Sequence, residues 1–262
     1  MNDQAPPTTA APVTGTLSEE ARRRLRSRRG EPLLVAGWHR VLMIHFEVDP
    51  AALQRDVPYQ LDLLDGRAFV STVAFSLSGM RPCLGGRMSA WLFRPIATHN
   101  FLNVRTYVRH GGECGIHFLA EWLSSRLAAR LGPATFGLPY RYGRITFAHD
   151  QCGPVHAQVA DAVGGGNLDY YVSLGSSAFQ PCQTGSLDEW LMERYTAFNS
   201  AGWGRRFFRV WHPTWPQCVA DVRLYDCSLL TRNWRCFNHA RQIGANYSPG
   251  FDTVWMGWPH RV

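Results

Sequence analysis

Runs of alternating apolar and polar residues, the pattern of β-strands, recur along most of the chain. Residues 33–48 are rich in Trp, Val, Leu, Ile and Phe, and residues 67–76 form two rows suited to a strand with one buried face. Two more β-rich runs, residues 103–109 and 115–121, flank a Gly-Gly turn and predict a hairpin. Further strands are predicted at residues 140–147, 155–163, 168–174, 207–211 and 218–225. Because no β-α-β alternation is present, the pattern predicts a mainly β protein, an antiparallel barrel or curled sheet with a few short helices.

Capping residues predict where the helices begin. The predicted helices span residues 18–30, 51–55, 124–131 and 187–195, opened by Ser18, Asp49, Ser124 and Ser186. Residues 79–98 carry Gly, Pro and Arg at irregular intervals, which predicts a long loop able to cover a cavity. The chain beyond residue 225 is predicted to be irregular and aromatic.

Domain organisation and compartment follow from the ends of the chain and from its cysteines. Residues 1–30 are expected to form a disordered leader with a short Arg-rich helix, and residues 31–262 a single β domain. The leader lacks the apolar core of a secretory signal, and no run reaches the roughly 18 apolar residues of a membrane span. Seven scattered cysteines without metal-type spacing indicate reduced thiols, so we expect a soluble cytoplasmic protein without a membrane partner.

All 27 basic residues are arginine, and the chain contains no lysine. This excludes Schiff-base aldolases, pyridoxal-phosphate enzymes and P-loop NTPases, whose chemistry needs a lysine amine. The formal net charge is +7, but six of the arginines lie within residues 1–30 and the others form no stripe. A solvated tail with incidental affinity for polyanions therefore explains the charge better than specific binding of nucleic acid.

A series of short motifs, in order from about residue 33 to 225, resembles the YqjF-like family (domain of unknown function 2071). They are Trp38-x6-His45-Phe-x-Val48-Asp49-Pro50, Val57-Pro58, Leu61-x3-Asp65-Gly66-x-Ala68, Val73-Ala74-Phe75, Asn103-Val104-Arg105-Thr106-Tyr107-Val108, Leu138-Pro139-Tyr140, Gly185-Ser186-Leu187-x3-Leu191-x-Glu193-Arg194-Tyr195 and Val210-Trp211-His212-x2-Trp215. The resemblance implies the fold of acetoacetate decarboxylase, a cone-like antiparallel barrel around a closed cavity.

Two departures limit what the resemblance implies. The decarboxylase forms a Schiff base on a lysine, and this chain has none. Many relatives also have a Glu four residues before the Arg of the Asn-Val-Arg motif, where this chain has Phe101.

Arg105 is the first candidate for binding a ligand. It lies mid-strand, and we place it on one face with Asn103 and place Tyr107 on the other. An inward guanidinium would bind a carboxylate or phosphate through two hydrogen bonds. The alternatives are a structural arginine that clamps a backbone carbonyl or an acid, and one that faces solvent.

His117 and Glu121, predicted to share a face with Leu119, are candidates for an acid/base pair or half of a metal site. A spacing of four residues in a strand separates them by about 13 Å, too far to share one ion or proton, so a structural role is favoured. His212 lies in a Trp- and Pro-rich corner that either lines a pocket or only packs. His45 interrupts an apolar run and is favoured as a satisfied core residue.

Two hypotheses of function remain open. In the first, a barrel cavity binds a small anionic or carbonyl metabolite, with Arg105 as anchor and Tyr107, His117, Glu121 and His212 around it. Non-covalent acid/base chemistry would follow if the protein is an enzyme. In the second, the chain is a non-enzymatic sensor or interaction scaffold whose motifs serve packing only. No cofactor and no metal are expected, and a homo-oligomer is left open.

Overall fold

The fold was analysed in a computed structural model, which describes residues 16–147, 155–175, 178–201 and 204–262. The strands are β1 Leu34–Val48, β2 Gln60–Leu61, β3 Ala68–Pro82, β4 His99–His110, β5 Glu113–Leu123, β6 Tyr140–Phe147, β7 Val155–Asp161, β8 Asn167–Leu174, β9 Thr196–Ala201, β10 Gly204–Trp211, β11 Cys218–Asp226, β12 Arg241–Met256 and β13 His260–Arg261. The helices are α1 Leu17–Arg26, α2 Pro50–Gln54, α3 Gly86–Phe93, α4 Arg126–Phe136, α5 Leu187–Met192 and α6 Ser228–Thr231, with 3-10 helices at Arg94–Ile96 and Arg235–His239. Within these ranges, no helix is long and apolar enough to cross a membrane.

The strand pairings return to their starting point, so the sheet is ring-like. The long strand β1 pairs with β12 on one side and β3 on the other, and the series continues through β4, β5, β9 and β10 back to β12. A second series runs from β5 through β6, β7, β8 and β11 to β12. The prediction of a mainly β fold is confirmed. The pairing is mixed, however, because β5 is parallel to both β6 and β9.

Strands β1, β3, β4 and β5 are buried on both faces. One face, with Leu42, Val104 and Trp122, packs into a core that continues onto β6, β7, β8 and β11. The other face, with Met43, Val73 and Tyr107, meets side chains of β9, β10 and β12. We call this second face the inner face. It is covered by α5, whose Leu191 is buried in the same clusters.

The N-terminal helix packs against β10. Its N-cap is Thr16, two residues before the predicted Ser18, because Thr16 and Glu19 form a capping box. Leu25 is fully buried, and the Ser18 hydroxyl donates to the His212 carbonyl at 2.6 Å. Residues 1–15 of the predicted leader lie outside the described residues.

Two segments predicted to be irregular are regular. Residues 79–98 extend β3 to Pro82 and then form α3 and a 3-10 helix. The chain after residue 225 contains β12, a strand of 16 residues along the length of β1. Gly244 and Gly250 interrupt its apolar pattern, so this strand depends on pairing with β1, about 200 residues away in sequence.

Candidate functional site

Arg105 is the buried charge at the centre of the inner face. It lies in a row of paired residues with His45, Ser71 and Phe118 on the neighbouring strands. Its Nη2 donates to the Leu191 carbonyl at 3.1 Å and lies 3.6 Å from the Met43 sulfur. Its Nε has no hydrogen-bond partner, and no described carboxylate lies within 4.0 Å of the guanidinium.

Tyr107 lies on the same face as Arg105, so its predicted place on the opposite face was wrong. Side chains alternate along a strand, and residues 103, 105 and 107 therefore point the same way. The Tyr107 hydroxyl donates to the Leu191 carbonyl at 3.0 Å, so Tyr107 and Arg105 together hold the end of α5. A helix ends with unpaired carbonyls and partial negative charge, which this pair satisfies.

A chain of buried polar groups continues from Tyr107 across three strands. The Tyr107 hydroxyl lies 2.6 Å from that of Ser71, which lies 2.7 Å from Nδ1 of His45. Nε2 of His45 lies 3.0 Å from the Asn246 side chain. Burial, and then the charge of Arg105, lower the pKa of His45 to about 3, so the imidazole is neutral at physiological pH. His45 is thus a satisfied core residue, as the sequence favoured.

Glu121 reaches the inner face, whereas His117 does not. Asn103 and Glu121 are directly paired, but the register shifts next to them, so that Val104 pairs with Ala120 and Arg105 with Phe118. Leu119 is the extra residue of a β-bulge, and it reverses the alternation along β5. The prediction that His117, Leu119 and Glu121 share a face was wrong for this reason. His117 is directed to the other face.

The surroundings of His117 are those of a packed core residue. Its ring lies 5.6 Å from that of Tyr59, and its Nδ1 lies 3.0 Å from the Phe198 carbonyl. Both neighbours belong to the core opposite the inner face. Burial lowers the pKa of His117. The side chain is therefore separated from Arg105 by the sheet.

Glu121 is a buried carboxyl group that forms no ion pair with the described residues. Its Oε2 has no hydrogen-bond partner, and burial raises its pKa well above the ordinary value. Its pairing partner Asn103 also has an unpartnered side-chain oxygen. An oxygen of the Glu121 carboxyl group, the amide oxygen of Asn103 and Nε of Arg105 are thus three polar atoms on adjacent strands of one face that have no partner among the described residues.

His212 lies in an aromatic cluster close to this region. Its ring is 4.5 Å from that of Trp215 and 4.7 Å from that of Tyr195, and its Nδ1 donates to the Pro213 carbonyl at 2.7 Å. Burial lowers the pKa of His212 to about 3, and the charge of Arg105 acts in the same direction. The predicted aromatic corner is therefore present, with a neutral histidine inside it.

An ion-pair cluster lies beside Tyr107. From the sequence, Arg194 was open either as an anchor for an acid from another strand or as a substrate contact, and the acid was not identified. The buried Asp62 accepts from Arg109 at 2.9 Å and from Arg194 at 2.8 Å. The Arg194 guanidinium stacks 4.1 Å over Trp190 and lies 5.3 Å from the Tyr107 ring. The available signal was the Glu193-Arg194 pair that follows the capping box of α5.

A cleft of about 470 Å³ opens beside this cluster, between α1, α5 and β5. Arg194, Trp190 and Glu193 line it, together with Glu20 and Arg24 of α1. Since Arg194 also covers the Tyr107 ring, it lies between the cleft and the inner face. In the part of the chain that the structure describes, no three His, Cys, Asp or Glu side chains are grouped to hold a metal ion.

We expect His212→Asn to reduce the loss of stability in acid. A histidine whose folded pKa is lowered to about 3 contributes stability above pH 6.5, and that stability is lost as the pH falls toward 3. Each such histidine adds a slope of about 1.4 kcal/mol per pH unit in this window. Urea unfolding between about pH 7 and 4 should therefore give a shallower slope for the variant. His239→Asn, at an exposed position, is the control; equal slopes for all three proteins would contradict the assignment.

A family model and a bacterial protein match this chain in sequence. A model of the family DUF2071, an uncharacterized conserved protein, matches residues 35–252. The uncharacterized protein YqjF of Bacillus subtilis (strain 168) is 29% identical over 175 residues, which are 62% of this chain and 66% of the relative, just under two thirds of its length.

Solved structures with this fold are distant in sequence. An acetoacetate decarboxylase-like enzyme from Sphingomonas wittichii RW1 is 17% identical with a TM-score of 0.56, covering 88% of this chain and 93% of its own. The acetoacetate decarboxylase of Legionella pneumophila is 12% identical with a TM-score of 0.59, covering 97% and 98%. The enduracididine biosynthesis enzyme MppR, in complex with pyruvate, is 12% identical with a TM-score of 0.60, covering 89% and 92%. At these identities the likeness shows the fold alone.

Proposed function

This chain belongs to the DUF2071 family of uncharacterized conserved proteins, and we propose that it binds a small organic acid on the inner face. The resemblance found in the sequence is confirmed at the level of the family. One observation carries the proposal: Arg105 Nε, an Asn103 oxygen and a Glu121 oxygen are buried on one face of two paired strands, without hydrogen-bond partners in the part of the chain that the structure describes.

Leaving these groups unpartnered is costly for the fold. Buried polar atoms are almost always hydrogen-bonded, and each exception costs about 1–3 kcal/mol. A ligand with a carboxylate and a neighbouring carbonyl or hydroxyl group offers matching partners. The carboxylate would accept from Arg105, and the neutral acid of Glu121 would donate to the carbonyl oxygen.

Oxo acids are the class of ligand that fits best. Among proteins of this fold, one carries acetoacetate decarboxylase as its name and another was solved with pyruvate. In this chain, which has no lysine, a Schiff base with a lysine amine is excluded. The remaining chemistry is non-covalent: Arg105 would fix the carboxylate, while the Glu121 acid would polarise the carbonyl toward its enol form.

A packing role is the second candidate, favoured by the contact between Arg105 and the Leu191 carbonyl. In this alternative Arg105 and Tyr107 only fasten α5 to the sheet, and the protein is a scaffold without a ligand. The binding role and the packing role predict different effects of a small organic acid on the melting temperature.

Arg105→Gln tests the proposal in thermal-shift titrations with pyruvate, acetoacetate and acetate. At about 100 times its dissociation constant, an oxo acid should raise the melting temperature of the parent by roughly 5 °C. The shift should vanish in Arg105→Gln and persist in Arg144→Gln, which changes an exposed arginine on β6. Equal shifts in parent and Arg105→Gln, or no shift of the parent with any acid, would favour the packing role.

A further inference from the structure

Helix α3 and Leu84, which precedes its N-cap Gly85, present large apolar side chains to solvent. Leu84 is 78% exposed, Met88 81%, Trp91 72% and Leu92 68%. Met88, Trp91 and Leu92 are separated by three and one residues, which places them on one side of the helix. We call these four residues the apolar patch. Isolated exposed apolar residues are common, but a contiguous group of this kind marks an interaction surface.

The charges within the segment that carries the patch have a single sign. Residues 79–98 contain three arginines, at positions 81, 87 and 94, and no acidic residue. Arg81 and Arg94 are exposed, and they lie on either side of the helix in sequence. Two copies packed symmetrically through this patch would bring arginines against arginines, which is unfavourable. The segment is instead complementary to a surface that is apolar underneath and negatively charged outside.

From this combination we propose that α3 docks the protein onto the surface of an anionic lipid bilayer. Trp, Leu and Met side chains on one side of an interfacial helix enter the boundary between headgroups and acyl chains, while arginines contact anionic headgroups. Each basic residue near such a surface contributes about 1 kcal/mol. The sequence-based expectation of no membrane partner rested on the lack of a spanning run, and surface docking needs none.

The test is flotation of the full chain with vesicles. One set contains equal parts of phosphatidylglycerol and phosphatidylcholine, and the other contains phosphatidylcholine alone. We expect the parent to float with the anionic vesicles, to float weakly with the neutral ones, and to detach as salt is raised. Trp91→Ser with Leu92→Ser should lower the partition coefficient about tenfold or more.

Matched controls separate the patch from general surface effects. Val219→Ser with Tyr225→Ser removes two exposed apolar residues from β11, and this protein should partition like the parent. Arg81→Gln and Arg94→Gln should each weaken partitioning about fivefold, whereas Arg144→Gln should not. The substituted positions are exposed, so every variant should unfold at the temperature of the parent.

Three outcomes would overturn the proposal. The first is failure of the parent to float with anionic vesicles. The second is equal flotation of the parent and of the Trp91/Leu92 double variant. The third is self-association in the absence of vesicles, measured by light scattering, that disappears in the double variant, because the patch would then be covered by a second copy.

Discussion

Replacing Glu121 with glutamine should make the protein more stable than its parent at alkaline pH, with the difference shrinking as the pH falls. Burial raises the folded pKa of Glu121 well above its ordinary value. Its contribution to stability is therefore complete below the unfolded pKa and is lost as the pH rises toward the folded pKa, because the unfolded chain releases the proton more readily. Glutamine is neutral throughout and avoids this loss.

The expected gain grows by about 1.4 kcal/mol for each pH unit above the unfolded pKa until the folded pKa is reached. Urea unfolding of both proteins from about pH 5 to 9 measures it as a widening gap between their free energies of unfolding. Asp221→Asn, at an exposed position on β11, is the control and should follow the parent. Parallel curves for parent and Glu121→Gln would show that the carboxyl group is not held neutral.

Gly250→Ala should destabilise the fold severely, by about 3 kcal/mol or more. Gly250 has a φ of +91°, and a Cβ added there would lie 1.8 Å from the Trp38 carbonyl oxygen on the paired strand β1. Both the left-handed backbone and the backbone contact oppose a side chain, and neither is relieved by rotating a flexible group. The denaturant midpoint of the variant measures this loss of stability, and failure to obtain soluble protein would also indicate it.

The matched control lies six residues earlier on the same strand. Gly244 has no positive φ, and a Cβ added there meets nothing within 4 Å. Gly244→Ala should therefore be neutral or stabilise by up to about 1 kcal/mol, since it restricts the unfolded chain. Comparable losses in both variants would mean that glycine is needed on β12 for some reason other than the close approach to β1.

The sequence predicts those parts of the fold whose pattern is local. The hairpin of β4 and β5 follows from two β-rich runs and a Gly-Gly turn, and Gly111 and Gly112 do adopt positive φ values. The strand β12 could not be predicted, because its glycines and Pro249 obscure the period and its stability comes from β1. The helix α4 runs through Pro133, where the sequence predicted its end, and stops at Gly137 in the left-handed conformation.

The candidate site is likewise predictable only where its sequence pattern is local. Arg105 is identifiable because a charged residue lies inside a run of β-forming residues, which requires either burial with partners or a ligand. Its contact with Leu191 depends on how α5 crosses the sheet, and no local pattern encodes that. Ser71 and Asn246 are ordinary strand residues in sequence, and only the register of β3 and β12 beside β1 brings them to His45.

The bulge at Leu119 divides β5 into two parts whose side chains alternate in opposite phase. Upstream of it, one set of positions faces Arg105, and downstream the other set does. Deleting this single residue would leave Ala120 opposite Val104 and Phe118 opposite Arg105, and would restore a regular alternation between the two parts of the strand. When a relative without the bulge is aligned, a gap is therefore needed at this position, and an alignment without the gap would exchange the two faces along half of the strand. Whether a residue of β5 lies on the inner face can be judged only from its position before or after Leu119.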